Sequence, residues 1–88
     1  MRRAYEVRIE PRAQKELDKI PVGSFQKIDR AILGLGKDPR PFGVKKLDER
    51  IYRIRIQDWR VLYAVLDKEA QVVVLHVKRR NEKTYKSI

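Results

Sequence analysis

Residues 51–77 read IYRIRIQDWRVLYAVLDKEAQVVVLHV, and this stretch decides the fold. Tyr52, Ile54 and Ile56 alternate with Arg53, Arg55 and Gln57, the two-residue period of a strand with one face buried and the other in water. Gln57-Asp58 supplies a tight turn, residues 60–66 a second strand, and Asp67-Lys68-Glu69 a further turn. The run QVVVLHV at 71–77 is almost continuously apolar, as expected for a central strand covered on both faces. Strands joined by such short turns pair antiparallel.

Upstream, Tyr5, Val7 and Ile9 alternate with Glu6, Arg8 and Glu10, which predicts one more strand. Pro11 suits the first turn of a helix, where its missing N–H is no loss. Ala13, Leu17 and Ile20 form an apolar stripe, with Arg12, Lys15, Asp18 and Lys19 outside it. Pro21-Val22-Gly23 breaks the chain, and Ser24 is the expected N-cap of a second helix carrying Phe25, Ile28, Ile32 and Leu35. That helix frays near Gly34 and Gly36, and KDPRPFG at 37–43 is loop. The order β-α-α-β-β-β defines an α+β domain, with an N-terminal helical hairpin packed on one face of a twisted sheet. Residues 1–88 leave room for one domain, because single domains commonly run to about 100–150 residues.

Composition narrows the function. Lys and Arg number 22 against 12 Asp and Glu, a net charge of +10 that favours a polyanion or an acidic partner. With no cysteine there is neither a disulfide nor a cysteine zinc site, and a cytoplasmic protein is expected. The opening MRRAYE lacks the apolar stretch of a signal peptide, and no run approaches a membrane span.

The basic residues are placed as well as numerous. Arg53 and Arg55, two apart on one strand, project from the same sheet face, and Arg60 on the next strand joins them if register allows. The tail adds Lys78, Arg79, Arg80 and Lys83, then Tyr85. The planar fork of arginine binds phosphate oxygens in pairs, so this cluster is suited to a phosphodiester. Arg53 and Arg55 equally fit the ordinary solvent side of an antiparallel sheet. His76, the single histidine, falls in the most apolar strand and reads as a packed core residue. The acids at Asp48-Glu49 and from Asp67 to Glu69 read as solvated turns. There is no Gly-rich phosphate loop and no Ser/His/Asp arrangement. RNA cleavage remains open to such a chain, because the adjacent 2′-hydroxyl is a built-in nucleophile. A protein need only assist its deprotonation, stabilise the phosphorane and protonate the leaving oxygen. A tyrosine becomes a usable base where cations favour its phenolate.

Four stretches in order, YEVRIEPRAQKELDKI (5–20), KDPRPFGVKKL (37–47), IYRIRIQDWRVLY (51–63) and RRNEKTY (79–85), resemble the RelE/ParE toxin superfamily over essentially the whole chain. The resemblance implies a curved antiparallel sheet with an N-terminal helical hairpin. For RelE-like members it implies a toxin that cleaves mRNA in the ribosomal A site without a metal or other cofactor. A RelB-like antitoxin, the ribosome and mRNA are the implied partners, with no membrane. Carried over by position, Arg53 and Arg55 become RNA-gripping cations, while Arg60 and Tyr85 become catalytic. The tail arginine is Arg79 or Arg80, depending on whether RRNEKTY holds an extra residue. A further basic position falls on Asp48, for which Lys46 is the expected substitute, with Lys78 and Lys83 as additional RNA contacts. The hairpin turn, commonly glycine in relatives, is Gln57-Asp58 here. Two alternatives remain: a ParE-like inhibitor of DNA gyrase, and a catalytically inactive relative that only binds RNA.

Overall fold

The computed structural model describes residues 4–79. Strand β1 (Glu6–Ile9) leads into helix α1 (Pro11–Asp18) and helix α2 (Val22–Gly34). Four strands follow: β2 (Lys45–Lys46), β3 (Ile51–Ile56), β4 (Trp59–Leu66) and β5 (Gln71–Arg79). They form one five-stranded sheet in the order β1-β5-β4-β3-β2. This is the expected α+β architecture with two additions. The two-residue β2 extends the edge beside β3, and β1 runs parallel to β5, so the sheet is mixed. The long apolar β5 needs a neighbour on each side, and β1 supplies the second one.

The core lies on a single face of the sheet. Ala13 and Leu17 of α1 and Ile28 and Ile32 of α2 pack on Tyr52, Ile54, Val61, Tyr63, Val65, Val72, Val74 and Val77. Alternate residues along each strand therefore face the helices, and the intervening ones form a second face with no helix over it among the described residues. The alternation slips once. Leu62 pairs with His76 but Tyr63 pairs with Val74, leaving Leu75 as the extra residue of a β-bulge. The bulge lets Val74 and Val77, three apart, both reach the core.

Two expectations are corrected here. β5 is covered on one face, since Val73, Leu75 and His76 remain half-buried. His76 accordingly stands at the open face instead of in the core. The second helix also begins earlier than Ser24: Pro21 occupies the N-cap position, and its carbonyl accepts from the Phe25 amide at 2.8 Å. Proline already holds φ near −65°, so the chain enters the helix without a side-chain cap. The end of α2 sits tightly on β1. The Tyr5 amide donates to the Gly36 carbonyl at 2.7 Å, and a Cβ on Gly36 would lie 3.0 Å from the Tyr5 carbonyl oxygen.

Loop 37–44 crosses the helix-covered face at one end of the sheet. The Tyr63 hydroxyl donates to the Pro39 carbonyl at 2.7 Å, and Arg40 donates to the Tyr52 hydroxyl at 3.0 Å. Arg40 also pairs with Asp67 at 2.7 Å, and the Tyr5 hydroxyl donates to the other Asp67 oxygen at 2.6 Å. Asp67 is thus a structural acid, although its turn position suggested simple solvation. The Arg40 guanidinium, then the Tyr5 hydroxyl, hold its carboxyl below the ordinary range. Burial, with Tyr52 nearby, pushes the Tyr63 phenol up.

Candidate nucleic-acid interface

The face without helices collects the cations. Arg55 pairs in register with Arg60 across β3–β4, and Arg60 pairs with Lys78 across β4–β5. Directly opposed residues share a sheet face, so these three cations form one row. The neighbouring row runs Lys45, Arg53, Leu62, His76. Leu62 at its centre is only 2 % exposed despite lying on the uncovered face. Arg55 and Lys45 are exposed, whereas Arg53, Arg60 and Lys78 are half-buried. Among the described residues no ion pair engages Arg53, Arg55 or Lys45.

The turn that departs from glycine keeps this register. Gln57 adopts φ 54°, the left-handed conformation that glycine takes more readily, and Ile56 still pairs with Trp59 around it. Arg55 and Arg60 therefore meet directly.

Two expected contacts fall elsewhere. Arg79 pairs in register with Trp59, on the helix side of the sheet, and its guanidinium carbon lies 5.0 Å from the centre of the indole ring. Lys46 pairs with Tyr52 and so also belongs to the helix side, while Lys45 faces Arg53 on the open side. Arg80, Lys83 and Tyr85 lie outside the described residues.

Sequence reasoning missed two residues here. Lys45 was hidden because choosing it over Lys46 requires the β2–β3 register. Glu16 left a signal: it sits at helical spacing with Ala13, Leu17 and Ile20, a carboxylate on an otherwise apolar stripe. The structure explains it. Glu16 accepts from the Val77 amide at 2.8 Å and meets the Lys78 ammonium at 2.5 Å. The Nδ1 atom of His76 lies 3.8 Å from the same carboxylate.

An array of guanidinium and ammonium groups on a solvent-facing sheet can bind several consecutive phosphates and stabilise a pentacoordinate phosphorane. Residues 7–84 match the family of ParE toxins of type II toxin–antitoxin systems, parDE. The chain belongs to the RelE/ParE toxin superfamily. A protein from Methanocaldococcus jannaschii named as toxin RelE1 is 32% identical over 88 residues, covering 94% of this chain and 97% of the relative. The archaeal RelE–RelB complex from Pyrococcus horikoshii OT3 contains a chain of the same fold. It superposes with a TM-score of 0.83 at 29% identity, covering 91% of this chain and 99% of that one. The RelBE2 toxin–antitoxin complex of Mycobacterium tuberculosis gives a TM-score of 0.77 at 26% identity, covering 90% of this chain and 94% of that one. This RelE/ParE chain has no helix among its described residues long and apolar enough to cross a membrane.

Proposed function

We propose that this RelE/ParE toxin is a ribosome-dependent endoribonuclease that cleaves mRNA in the ribosomal A site, in complex with an adjacent-encoded, RelB-like antitoxin when silent. One observation carries the reading: Arg55, Arg60 and Lys78 stand in a single cross-strand row, flanked by Arg53 and Lys45. Like charges directly opposed across strands destabilise a sheet, by roughly 0.2–1 kcal/mol per pair. Glu16 matches Lys78, but Arg53, Arg55 and Lys45 have no ion pair among the described residues, and a fold serving only its own stability gains nothing from those cations. A bound polyanion offsets the repulsion.

In this reading Arg53, Arg55 and Lys45 hold the RNA backbone. Arg60 neutralises the charge that develops on the scissile phosphate, and Tyr85 exchanges protons with the 2′-hydroxyl. With Arg79 stacked on Trp59 away from the row, Arg80 is the better candidate for the tail arginine. Lys83 adds a backbone contact, and Lys45 takes the part expected of Lys46. The site contains no strong base among these groups, so the ribosome supplies the positioning that in-line attack requires. Val22 and Leu33, exposed on α2, offer apolar anchors for an antitoxin segment whose carboxylates meet the cations.

Primer extension on translated mRNA, run beside a gyrase supercoiling assay, tests the proposal. Cuts within codons that require ribosomes are expected, with gyrase unaffected. Inhibited supercoiling with intact mRNA would establish the ParE-like alternative, and RNA binding without cleavage the inactive one. Efficient cutting of naked RNA would remove the ribosome from the mechanism.

A further inference from the structure

Glu16 brings a negative charge to the edge of the cation face, and its contacts are specific. The α1 helix runs beside β5 beyond the end of β1, whose last register pair is Ile9 with Val74. Past that point no strand among the described residues pairs with the β5 edge on this side, and the Glu16 carboxylate accepts the Val77 amide. The other carboxylate oxygen holds Lys78, the end member of the Arg55–Arg60–Lys78 row. Glu16 and Lys78 are both largely shielded, with side chains 15% and 21% exposed. His76 brings Nδ1 toward the same group, buried and without a hydrogen bond among the described residues.

A lysine carries its charge on a flexible four-carbon stem. Left mobile, Lys78 attracts RNA but does not hold an ammonium at a fixed point beside Arg60. An exposed ion pair would do little to fix it. This pair is shielded, and its carboxylate is anchored to the backbone of the same strand. We propose that Glu16 is a positioning residue for the cleavage reaction: it fixes Lys78 beside Arg60 and secures the last strand where the chain enters its basic tail. The inference rests on the nuclease reading above.

The test compares Glu16→Gln, Lys78→Met and the double variant with the wild type. It measures melting temperature, affinity for a short single-stranded RNA, and single-turnover cleavage on programmed ribosomes. Glutamine keeps an oxygen for the Val77 amide but replaces the negatively charged oxygen at Lys78 with a neutral NH2 donor. Glu16→Gln is expected to bind RNA at least as tightly as the wild type, because one negative charge is gone, yet to cleave roughly 10–100-fold more slowly from misplacement of a reacting-site group. Lys78→Met should lose cleavage to a similar degree, and the double variant should be no slower than the worse single one. Multiplied losses in the double variant overturn the coupling. So does Glu16→Gln cleavage within about twofold of wild type, since rate effects that small lie far below the expected range. Parallel losses of melting temperature, affinity and rate in Glu16→Gln would reduce Glu16 to a structural cap. A wild type that spares mRNA and inhibits gyrase overturns the nuclease reading and this inference with it. A wild type that cuts while Glu16→Gln cuts equally well overturns the inference alone.

Discussion

On the helix-covered side of the sheet Arg40 is held by Asp67 at 2.7 Å and by the Tyr52 hydroxyl at 3.0 Å, whereas on the opposite side Arg53 and Arg55 meet no carboxylate among the described residues. The first cation ties a loop to strand β3 and to the β4–β5 turn, and belongs to the fold. The second pair adds repulsion to a sheet that packs without it. Arg40 and Asp67 are both partly exposed, so their pairing shows charges matched within the chain and not a buried charge that stability had to match. On the open side Arg53, Arg55 and Lys45 are charges left for a partner to match. Glu16 marks the boundary, since it serves the β5 edge and the cation row together.

The sharpest way to break this division is to alter the proposed chemistry and look for a change in folding. Tyr85→Phe keeps the ring and removes the ionisable hydroxyl. It is expected to slow ribosome-dependent cleavage by roughly the 10²–10⁴-fold of a general acid–base residue, with ribosome binding and melting temperature retained. Full single-turnover activity in that variant would take the phenol out of the mechanism and pass proton transfer to the tail arginines.

The converse substitution belongs on the covered side. Leu17 is 1% exposed beneath the sheet, and Leu17→Ala is expected to cost about 2–5 kcal/mol of unfolding free energy. Arg55→Ala, exposed on the other face, should stay within about 0.5 kcal/mol of wild type while weakening RNA binding and flattening its salt dependence. Denaturant unfolding of both variants checks the contrast. Equal losses of stability would mean that the cation row helps to hold the sheet together.

The same contrast explains what the sequence disclosed. Strands β3 and β4 were legible because Tyr52, Ile54 and Ile56 alternate cleanly with arginines, and period alone assigned Arg53 and Arg55 to the open side. The helices were legible from Ala13, Leu17, Ile28 and Ile32. Properties that depend on register were not. A single bulge at Leu75 moved His76 out of the core, and a two-residue strand decided between Lys45 and Lys46. The parity of the β4–β5 pairing sent Arg79 to Trp59. Pairing between distant segments leaves no periodic trace in either segment, so Asp67 looked like a solvated turn until Arg40 and Tyr5 were brought to it.

A smaller effect is expected from the loop latch. Tyr63→Phe removes the hydrogen bond to the Pro39 carbonyl and should cost about 1 kcal/mol. The wild-type latch also responds to pH. Because the Asp67 carboxyl is held low in the folded chain, its contribution is present above the unfolded carboxylate value of about 3.9 and is lost as pH falls through the lower folded value. The Tyr63 phenol is raised by burial, so its contribution is complete below about pH 10 and is lost as the unfolded chain ionises above it. Unfolding curves for wild type, Asp67→Asn and Tyr63→Phe across pH separate the two. The acid loss should vanish in the first variant and the alkaline loss shrink in the second. Arg53→Ala and Arg55→Ala should leave both limbs unchanged.

The smallest effect concerns the turn that joins β3 and β4. Gln57 holds φ 54°, where an L-residue other than glycine carries a penalty of about 1–2 kcal/mol. Glycine removes that strain but enlarges the freedom of the unfolded chain by about 0.5–1 kcal/mol. Gln57→Gly should therefore stabilise the protein by about 0–1.5 kcal/mol, the difference of those two contributions. Its value lies in what should stay constant. Six register pairs, from Ile51 with Ala64 to Ile56 with Trp59, fix β3 on β4, and the face assignment of Arg55 and Arg60 follows from those pairs. If the strands set the register, cleavage by Gln57→Gly matches wild type while melting rises slightly. A changed cleavage rate at unchanged or higher stability would mean that the turn itself adjusts the spacing of Arg55 and Arg60. The open face would then be tuned by a residue that binds nothing, and the separation between residues of the fold and residues of the site would fail at its tightest point.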